Sequence, residues 1–439
     1  MKQPSGGSFA ILLLLGGCLG LGAGETLGPL VTAEGRLPTP KAGSDEKIGG
    51  ATAVRVERPE LDYVYPLRSR ETIPYIVDYQ PTGLEFFAGR LKLFPRLETR
   101  LAYNDNIFGS GEGEERSDML WQNRPGLDLT FAPDPSFQLR SYYIFGWNDY
   151  LDDVARDYLT HDAGASMTWR NLGVRGLDLN LRDQYSQSGN TAVLDNEYVS
   201  FTRLQENKAG PTVEYRRENL GFAVSYEYGI VDYFKATLQS SDYYTHAGKV
   251  LWWYEVMPNL VPYVRYDYKA TRYRLDSGGD FDCHYLNAGV RANLGRKFNF
   301  DAFVGNHRGI SLDPYDSNDG PSAGIKLGYT PRLGYTVYFN SEYRFWQLVR
   351  TGGTRTLLLA AGGRFRVLPE FFVDGRVSWM QDDRMDGIQQ RTLLYRAQFE
   401  YAIRRDLRAY AGCNRAERAT TGARDVIINE IFAGFNFRF

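Results

Sequence analysis

The feature of this chain that most restricts its fold is a strict alternation of apolar and polar side chains over many short segments. Polar residues occupy the intervening positions, so one face of each segment is apolar and the other is polar. This period of two predicts a β-strand with one buried or lipid-facing side. Four segments show the pattern most clearly, through the apolar rows Leu177, Leu179, Leu181 and Tyr185; Phe222, Val224, Tyr226, Tyr228 and Ile230; Leu286, Ala288, Val290, Ala292 and Leu294; and Leu393, Tyr395, Ala397, Phe399, Tyr401 and Ile403.

The carboxyl end of the chain repeats the same alternation. Phe435, Phe437 and Phe439 lie on one side of a predicted last strand, and Asn436 and Arg438 lie on the other. Outer-membrane β-barrels commonly finish on such an aromatic strand, whereas soluble enzymes rarely do. We therefore expect the three phenylalanines to form an assembly signal that the barrel assembly machinery reads.

Connections between the predicted strands alternate strictly between short turns and longer polar loops. Examples of the short kind are Glu218–Gly221 and Pro331–Gly334, and examples of the long kind are Ser188–Tyr198 and Leu312–Gly320. The resulting period of roughly 40 residues corresponds to one hairpin per unit. Propeller blades repeat at a similar length, but the units here contain two long strands rather than four short ones.

Counting the strands between these connections gives about eighteen, an even number that leaves both ends of a barrel on the same side of the membrane. A soluble sandwich also alternates, but eighteen long strands would be outsized for one soluble domain. The prediction is an all-β fold, a transmembrane antiparallel up-and-down β-barrel in the outer membrane, occupying residues 89–439.

The amino-terminal part of the chain is of a different kind. Met1-Lys2, an apolar run over Phe9–Leu15 and small residues up to Gly24 predict a signal peptide over residues 1–24. The alternative is lipoprotein processing at Cys18. Residues 25–88 are rich in Gly, Pro and charge, and they predict a flexible, mostly disordered periplasmic leader.

Composition agrees with this class of protein. Aromatic residues make up 14% of the 439 residues, and 31 of them are Tyr. After the signal, no stretch approaches the roughly 18 consecutive apolar residues of a membrane-spanning helix. Aromatic rings prefer the membrane interface, and we expect such a girdle from Trp147, Trp169, Trp252, Tyr329, Phe345 and Trp379. The net charge of −2 argues against a nucleic-acid partner.

The polar faces of the strands carry charges of both signs. In a closed barrel these faces line the lumen. The simpler interpretation is that opposite charges pair across neighbouring strands and stiffen the wall; the alternative is a selectivity filter or a ladder that contacts polysaccharide. The residues expected to line the lumen are Arg182, Arg265, Asp267, Lys269, Arg291, Glu342, Arg344, Arg364, Arg366, Arg376, Arg396 and Glu400.

Patterns typical of enzymes are missing from the sequence. His161, His246 and His284 have no Ser in a recognisable nucleophile setting. Cys283 and Cys413, the cysteines left after signal removal, are too few for a disulfide framework and are interpreted as unpaired thiols. We therefore predict no catalytic residues, no cofactor and no metal site.

The first predicted hairpin resembles a known family. Leu93–Phe108, which contains Tyr103-Asn104-Asp105-Asn106, and the following Ser117-Asp118 and Pro125-Gly126-Leu127 are similar to the opening strands of an outer-membrane β-barrel porin family associated with exopolysaccharide or capsule production. The resemblance implies a barrel over about residues 90–439, and its motifs occupy only the first hairpin. The Pro-rich leader is a departure from it.

These observations together predict an outer-membrane pore for passive passage of solutes or for exopolysaccharide export. The alternative is a barrel without an open pore that scaffolds a surface-polymer assembly. The expected partners are outer-membrane lipid, the barrel assembly machinery, and small solutes or polysaccharide.

Overall fold

The computed structural model describes residues 83–438, with gaps at 107–112, 114, 153–156, 191–201, 235–241, 258, 275–279, 295–296, 312–316, 333, 349–351, 385–386 and 424. The predicted signal peptide, the leader up to residue 82, Cys18 and Phe439 lie outside the described residues. The part of the chain that the structure describes contains no helix long and apolar enough to cross a membrane.

Eighteen long antiparallel strands form one closed ring. Each pairs with its neighbour in sequence, and the last strand pairs with the first through nine residue pairs, from Glu430 opposite Asn104 to Arg438 opposite Arg96. The strands are β2 (Leu91–Asn104), β3 (Asp118–Asp134), β4 (Phe137–Tyr150), β5 (Tyr158–Trp169), β6 (Leu177–Asn190), β7 (Thr202–Arg217), β8 (Leu220–Tyr233), β9 (Tyr243–Tyr254), β10 (Leu260–Tyr273), β11 (Phe281–Leu294), β12 (Phe298–Ser311), β13 (Ser317–Arg332), β14 (Tyr335–Leu348), β15 (Gly352–Leu368), β16 (Phe371–Arg384), β17 (Gln389–Ala402), β18 (Leu407–Thr420) and β19 (Val426–Arg438). The predicted fold class and strand number are confirmed.

One short strand precedes the ring. β1 (Leu84–Phe86) pairs with the start of β2, where Leu84 lies opposite Leu93. It occupies the edge of β2 just beyond the point where β19 ends, since Arg438 lies opposite Arg96. This strand falls within the residues expected to belong to the leader.

Most connections are short turns at one end of the barrel and longer at the other; the clearest exceptions are the seven residues between Trp169 and Leu177 at the turn end and the three between Leu348 and Gly352 at the loop end. Arg217 pairs with Leu220, so only Glu218 and Asn219 join β7 to β8, and Glu218 has a φ of 50°. Gly334 takes a φ of 83° in the turn before β14, and a Cβ there would lie 2.7 Å from the Cβ of Arg366. Tight turns of this kind require left-handed backbone, which glycine adopts without strain.

Strand boundaries at the loop end differ from the sequence expectation. β6 continues to Asn190 and β13 begins at Ser317, although both positions were expected to lie in loops. The hydrogen-bonded ladder extends past the membrane-facing apolar rows, because backbone pairing does not require an apolar side chain at each position.

The inner wall of the barrel as the candidate functional site

The two faces of the wall are fixed by the strand register. Directly paired residues share a face, and following the pairs from β2 around to β19 returns to the same face of β2, where Leu101 lies opposite Ala433. The outer face carries most of the exposed large apolar side chains. They include Leu97, Trp121, Tyr143, Trp147, Leu181, Val213, Phe222, Trp252, Val264, Leu286, Val304, Tyr329, Val337, Phe365, Val377, Tyr395, Phe399 and Ile431.

The last strand follows the predicted pattern as far as the structure describes it. Ile431 is 64% exposed and Phe435 is 48% exposed on the outer face, whereas Phe432 is buried on the inner face. Arg100 of β2 lies over the Phe432 ring at 4.4 Å from its centroid. The aromatic row therefore faces outward beside the seam that closes the barrel.

An exposed apolar outer face on a closed barrel is stable only in lipid. Strands of 12 to 17 residues exceed the roughly 9–11 residues needed to cross a bilayer. Trp147, Trp252 and Tyr329 of the predicted girdle are exposed on this face, while the side chain of Phe345 lies outside the described residues. The protein is a β-barrel of the outer membrane.

All of the residues expected in the lumen lie on the inner face. The register pairs Arg182 with Gly210, Arg364 with Asp374, and Arg376 with Arg396, all on the side opposite the exposed apolar rows. The remaining members of the set, which lie on the same inner face, are Arg265, Asp267, Lys269, Arg291, Glu342, Arg344, Arg366 and Glu400.

Glu400 of β17 is the centre of the most buried group of charges on this face. Its carboxylate accepts a hydrogen bond from Arg408 Nη1 at 2.5 Å and lies 3.3 Å from Arg364 Nη2. Arg364 also lies 3.8 Å from Asp374, and its guanidinium stacks 4.6 Å from the Phe372 ring centroid. Four strands, β15 to β18, are thus tied together by two acids and two arginines.

A second group of polar contacts extends from β18 to β5, across the seam where β19 pairs with β2. Arg124 Nη2 donates to Asp162 at 2.9 Å, and Arg124 Nη1 lies 3.5 Å from Glu98. Glu98 also accepts a hydrogen bond from the Tyr410 hydroxyl at 3.0 Å. The Tyr410–Glu98 contact crosses the seam, because these two residues are 312 apart in sequence.

Charged side chains of both signs form ion pairs across the seam itself. Arg438, the last described residue, donates to Asp128 at 3.0 Å, and Arg100 lies 2.8 Å from Glu430. Glu430 also accepts a hydrogen bond from Asn414 at 2.6 Å. The closing strand is therefore held by inner-face polar contacts in addition to its backbone ladder.

On the opposite side of the barrel, the inner face of β10–β14 carries three more pairs. Arg265 lies 2.8 Å from Asp267, Arg344 lies 2.9 Å from Glu342, and Arg291 donates to Asp301 at 2.9 Å. Two of these pairs join residues two apart on one strand, so they neutralise charge without crossing between strands.

Two pairs of arginines lie directly opposite each other on neighbouring strands. Arg376 faces Arg396 between β16 and β17, and Arg96 faces Arg438 between β2 and β19. Like charges at opposed positions are destabilising. At the seam, Asp128 lies 3.7 Å from Arg96 and 3.0 Å from Arg438, so one carboxylate compensates both arginines there.

An apolar cluster on the inner face was not predicted. Ala223, Leu251, Trp253, Val261 and Tyr263 are all buried there, with Phe303 packed against them. They lie on β8–β10 towards the turn end. The signal in the sequence was the run Leu251-Trp252-Trp253, in which apolar residues also occupy the inward positions.

Three histidines considered in the sequence lie on the outer face, each beside a tyrosine hydroxyl. The O···Nδ1 distances are 2.8 Å for Tyr143 and His161, 2.6 Å for Tyr226 and His246, and 2.8 Å for Tyr266 and His284. In each case the two residues belong to neighbouring strands of one loop-side hairpin. Outward His and Tyr at one level form part of an interfacial girdle.

Both described cysteines are free thiols, Cys283 buried on the inner face and Cys413 exposed on the outer face. Within the described ranges, no group of three or more His, Cys, Asp or Glu side chains could hold a metal ion.

No protein-family model matches the chain, and no curated protein matches it. Solved structures of similar fold include OccK2 (OpdF) of Pseudomonas aeruginosa, at 12% identity and a TM-score of 0.47 over 79% of this chain and 98% of that one. OccAB3 of Acinetobacter baumannii is similar at 10% identity and a TM-score of 0.47, over 80% of this chain and 99% of that one. The outer membrane protein opdK of Pseudomonas aeruginosa is similar at 12% identity and a TM-score of 0.46, over 79% of this chain and 99% of that one.

Proposed function

We propose that this barrel is a water-filled pore through which small polar solutes pass passively across the outer membrane. The observation that carries the proposal is the closed ring of eighteen strands with a charged inner face. Barrels of about 16–18 strands enclose an aqueous channel unless something fills them. The residues expected in the lumen supply its polar wall.

The distribution of charge supports a preference for anionic solutes. Arg376 and Arg396 face each other on the inner wall. Within a low-dielectric wall, such concentrations of one sign raise the local concentration of opposite charges. A carboxylate-bearing solute would gain from the Arg376–Arg396 pair.

Liposome swelling tests this function directly. Full-length protein in phospholipid vesicles should admit small neutral sugars, and it should admit a small carboxylate faster than an amine of equal size. A variant without residues 25–82, which keeps β1, should swell at least as fast. No swelling by either protein with the smallest solute would overturn the proposal.

A scaffold without an open pore is the second candidate. It is favoured by the burial of Glu400, Arg364 and Asp374, which are 2%, 3% and 4% exposed. Wall charges that are fully engaged with each other have a structural role and leave fewer groups for a solute. Affinity purification of the full chain should then recover a periplasmic partner, and deletion should leave solute uptake unchanged.

Exopolysaccharide export is a narrower form of the pore proposal, and it rests on the resemblance in the first hairpin. If it is right, deletion of the protein should retain polymer in the periplasm and remove it from the cell surface. Polymer appearing normally at the surface would overturn export while leaving passive solute passage open.

Assembly through the carboxyl-terminal strand is also a proposal. Phe435 faces outward on β19 beside the seam, where an assembly machine that recognises the unpaired strand could reach it. Replacing Phe435, Phe437 and Phe439 by alanine should leave the exported chain in the periplasm, while Ile431→Ala should not.

A further inference from the structure

The outer wall carries a cleft of about 230 Å³ between β16 and β19, close to the loop end of the barrel. It is lined by the apolar side chains of Trp379, Leu393 and Ile427 and by the charged residues Arg391, Glu417 and Asp425. The apolar belt around it is flat, whereas this site is concave and combines apolar side chains with charged ones.

The register shows that the cleft opens towards the membrane. Trp379 lies opposite Leu393, Leu393 opposite Glu417, and Glu417 opposite Ile427, so all four side chains are on the outer face. Glu417 therefore lies within this row, between Leu393 and Ile427, while Trp379, Leu393 and Ile427 continue the apolar belt that contacts lipid. An acyl chain is the apolar group that reaches this face in a membrane.

One arginine of the cleft makes no ion pair within the described residues. Glu417 accepts a hydrogen bond from Arg415 at 2.5 Å, and Arg415 also lies 3.4 Å from Asn429. Arg391 is exposed, and it makes no ion pair with any residue that the structure describes. Asp425 lines the cleft from the loop side.

Other outward arginines near the loop end are paired. Arg272 lies 2.7 Å from Asp282, Arg274 lies 2.8 Å from Asp232, and Arg308 lies 3.8 Å from Asp319. Arg391 thus differs from these arginines in that its guanidinium is open to an anion that comes from the membrane.

We propose that this cleft binds one anionic membrane lipid, with its acyl chain against Trp379, Leu393 and Ile427 and its phosphate on the Arg391 guanidinium. The planar guanidinium offers several donors that match phosphate oxygens. The Arg415–Glu417 pair is neutral overall, and Asp425 opposes the anion, so selectivity depends on Arg391. The proposal needs the membrane placement of the barrel but not an open pore.

Quenching of tryptophan fluorescence by lipids with brominated chains tests the proposal. The signal of interest is the difference between the wild-type protein and Trp379→Phe in vesicles containing brominated phosphatidylglycerol or brominated phosphatidylcholine. One interfacial arginine should enrich the anionic lipid about fivefold at this site. Arg391→Gln should reduce the enrichment to about one, and Arg308→Gln, a change in an outward but paired arginine, should leave it unchanged.

Native mass spectrometry of the protein released from nanodiscs provides a second readout that does not need the tryptophan variant. Wild-type protein should retain one more phosphatidylglycerol molecule than Arg391→Gln does. Equal quenching by the two lipids, or an enrichment that persists in Arg391→Gln, would overturn the proposal. Loss of the enrichment on adding inorganic phosphate at millimolar concentration would also overturn it, since the site would then bind the free anion.

Discussion

Glu400→Gln should destabilise the barrel more than the loss of any exposed charge. Glu400 is 2% exposed and accepts a hydrogen bond from Arg408, while Arg364, which is 3% exposed, lies 3.3 Å away. Glutamine has nearly the same shape but no charge. The change therefore leaves two guanidiniums on the inner wall with one carboxylate fewer to balance them.

The expected size of the effect follows from the burial of the group. Removing one partner of a buried ion pair costs about 3–5 kcal/mol, because the remaining charge is left uncompensated. Arg364 keeps Asp374 at 3.8 Å, and the glutamine oxygen can still accept a hydrogen bond. We therefore expect the lower end of this range, about 3 kcal/mol.

Urea unfolding in phospholipid vesicles, followed by tryptophan fluorescence, measures this difference. The matched control is Asp319→Asn, which breaks the exposed pair with Arg308, where the side chains are 60% and 64% exposed. That pair is worth less than about 1 kcal/mol. If Glu400→Gln cost no more than Asp319→Asn, the inner-face group would be solvated and the reasoning would be wrong.

Three further predictions concern other parts of the wall. The double variant Arg376→Gln, Arg396→Gln should lower the anion preference of the pore, measured as the reversal potential in a salt gradient, because it removes two opposed positive charges. Asp183→Asn should stabilise the barrel by on the order of 1 kcal/mol in vesicle unfolding, because it removes a charged group from the lipid-facing side of β6. Asp134, the last residue of β3, where the chain enters the turn to β4, has its pKa lowered below the ordinary 3.8 by hydrogen bonds from the Ser136 hydroxyl and backbone N–H. Its contribution to stability is present above that pH and is lost as the pH falls through the folded-state pKa, so the acid-induced drop in the urea midpoint should be smaller in Asp134→Asn.

Each of these predictions has an outcome that would contradict it. An unchanged reversal potential in the double arginine variant would mean that solutes do not pass this stretch of wall. A loss of stability in Asp183→Asn would indicate that protein rather than lipid covers that side of β6. Equal drops of the urea midpoint between pH 5 and pH 3 in wild type and Asp134→Asn would mean that the Asp134 carboxylate does not stabilise the folded barrel.

The strands and their faces could be predicted from the sequence because each strand has its own internal period. The row Leu177, Leu179 and Leu181 alternates with polar residues without reference to any other strand, and the structure confirms that assignment. The turns could be predicted as well, because Gly334 has a backbone conformation that other residues avoid.

What the sequence could not predict depends on contacts between strands. Asp183 interrupts the apolar row of β6, and only the register shows that Asn207 of β7 donates to it at 3.0 Å. The same is true of Tyr266 and His284, whose contact follows from the length of a hairpin rather than from any local motif. Pairing across the wall is set by turn lengths and strand tilt, which the alternation does not specify.

The pairing partners of the inner-face charges could not be predicted from the sequence either. Arg376 and Arg396 could be assigned to polar faces, but their opposition is a property of the β16–β17 register. Trp253 and its neighbours occupy inward positions that were expected to be polar, because a local excess of apolar residues does not reveal which face will hold them.

Planar-bilayer recording of the purified full-length protein tests the central claim most directly. We expect discrete, long-lived conductance steps in a potassium chloride solution, with a reversal potential in a salt gradient that shows anion preference. Absence of steps from the full chain and from the variant without residues 25–82, with both proteins folded in the same bilayer lipid, would contradict a water-filled pore.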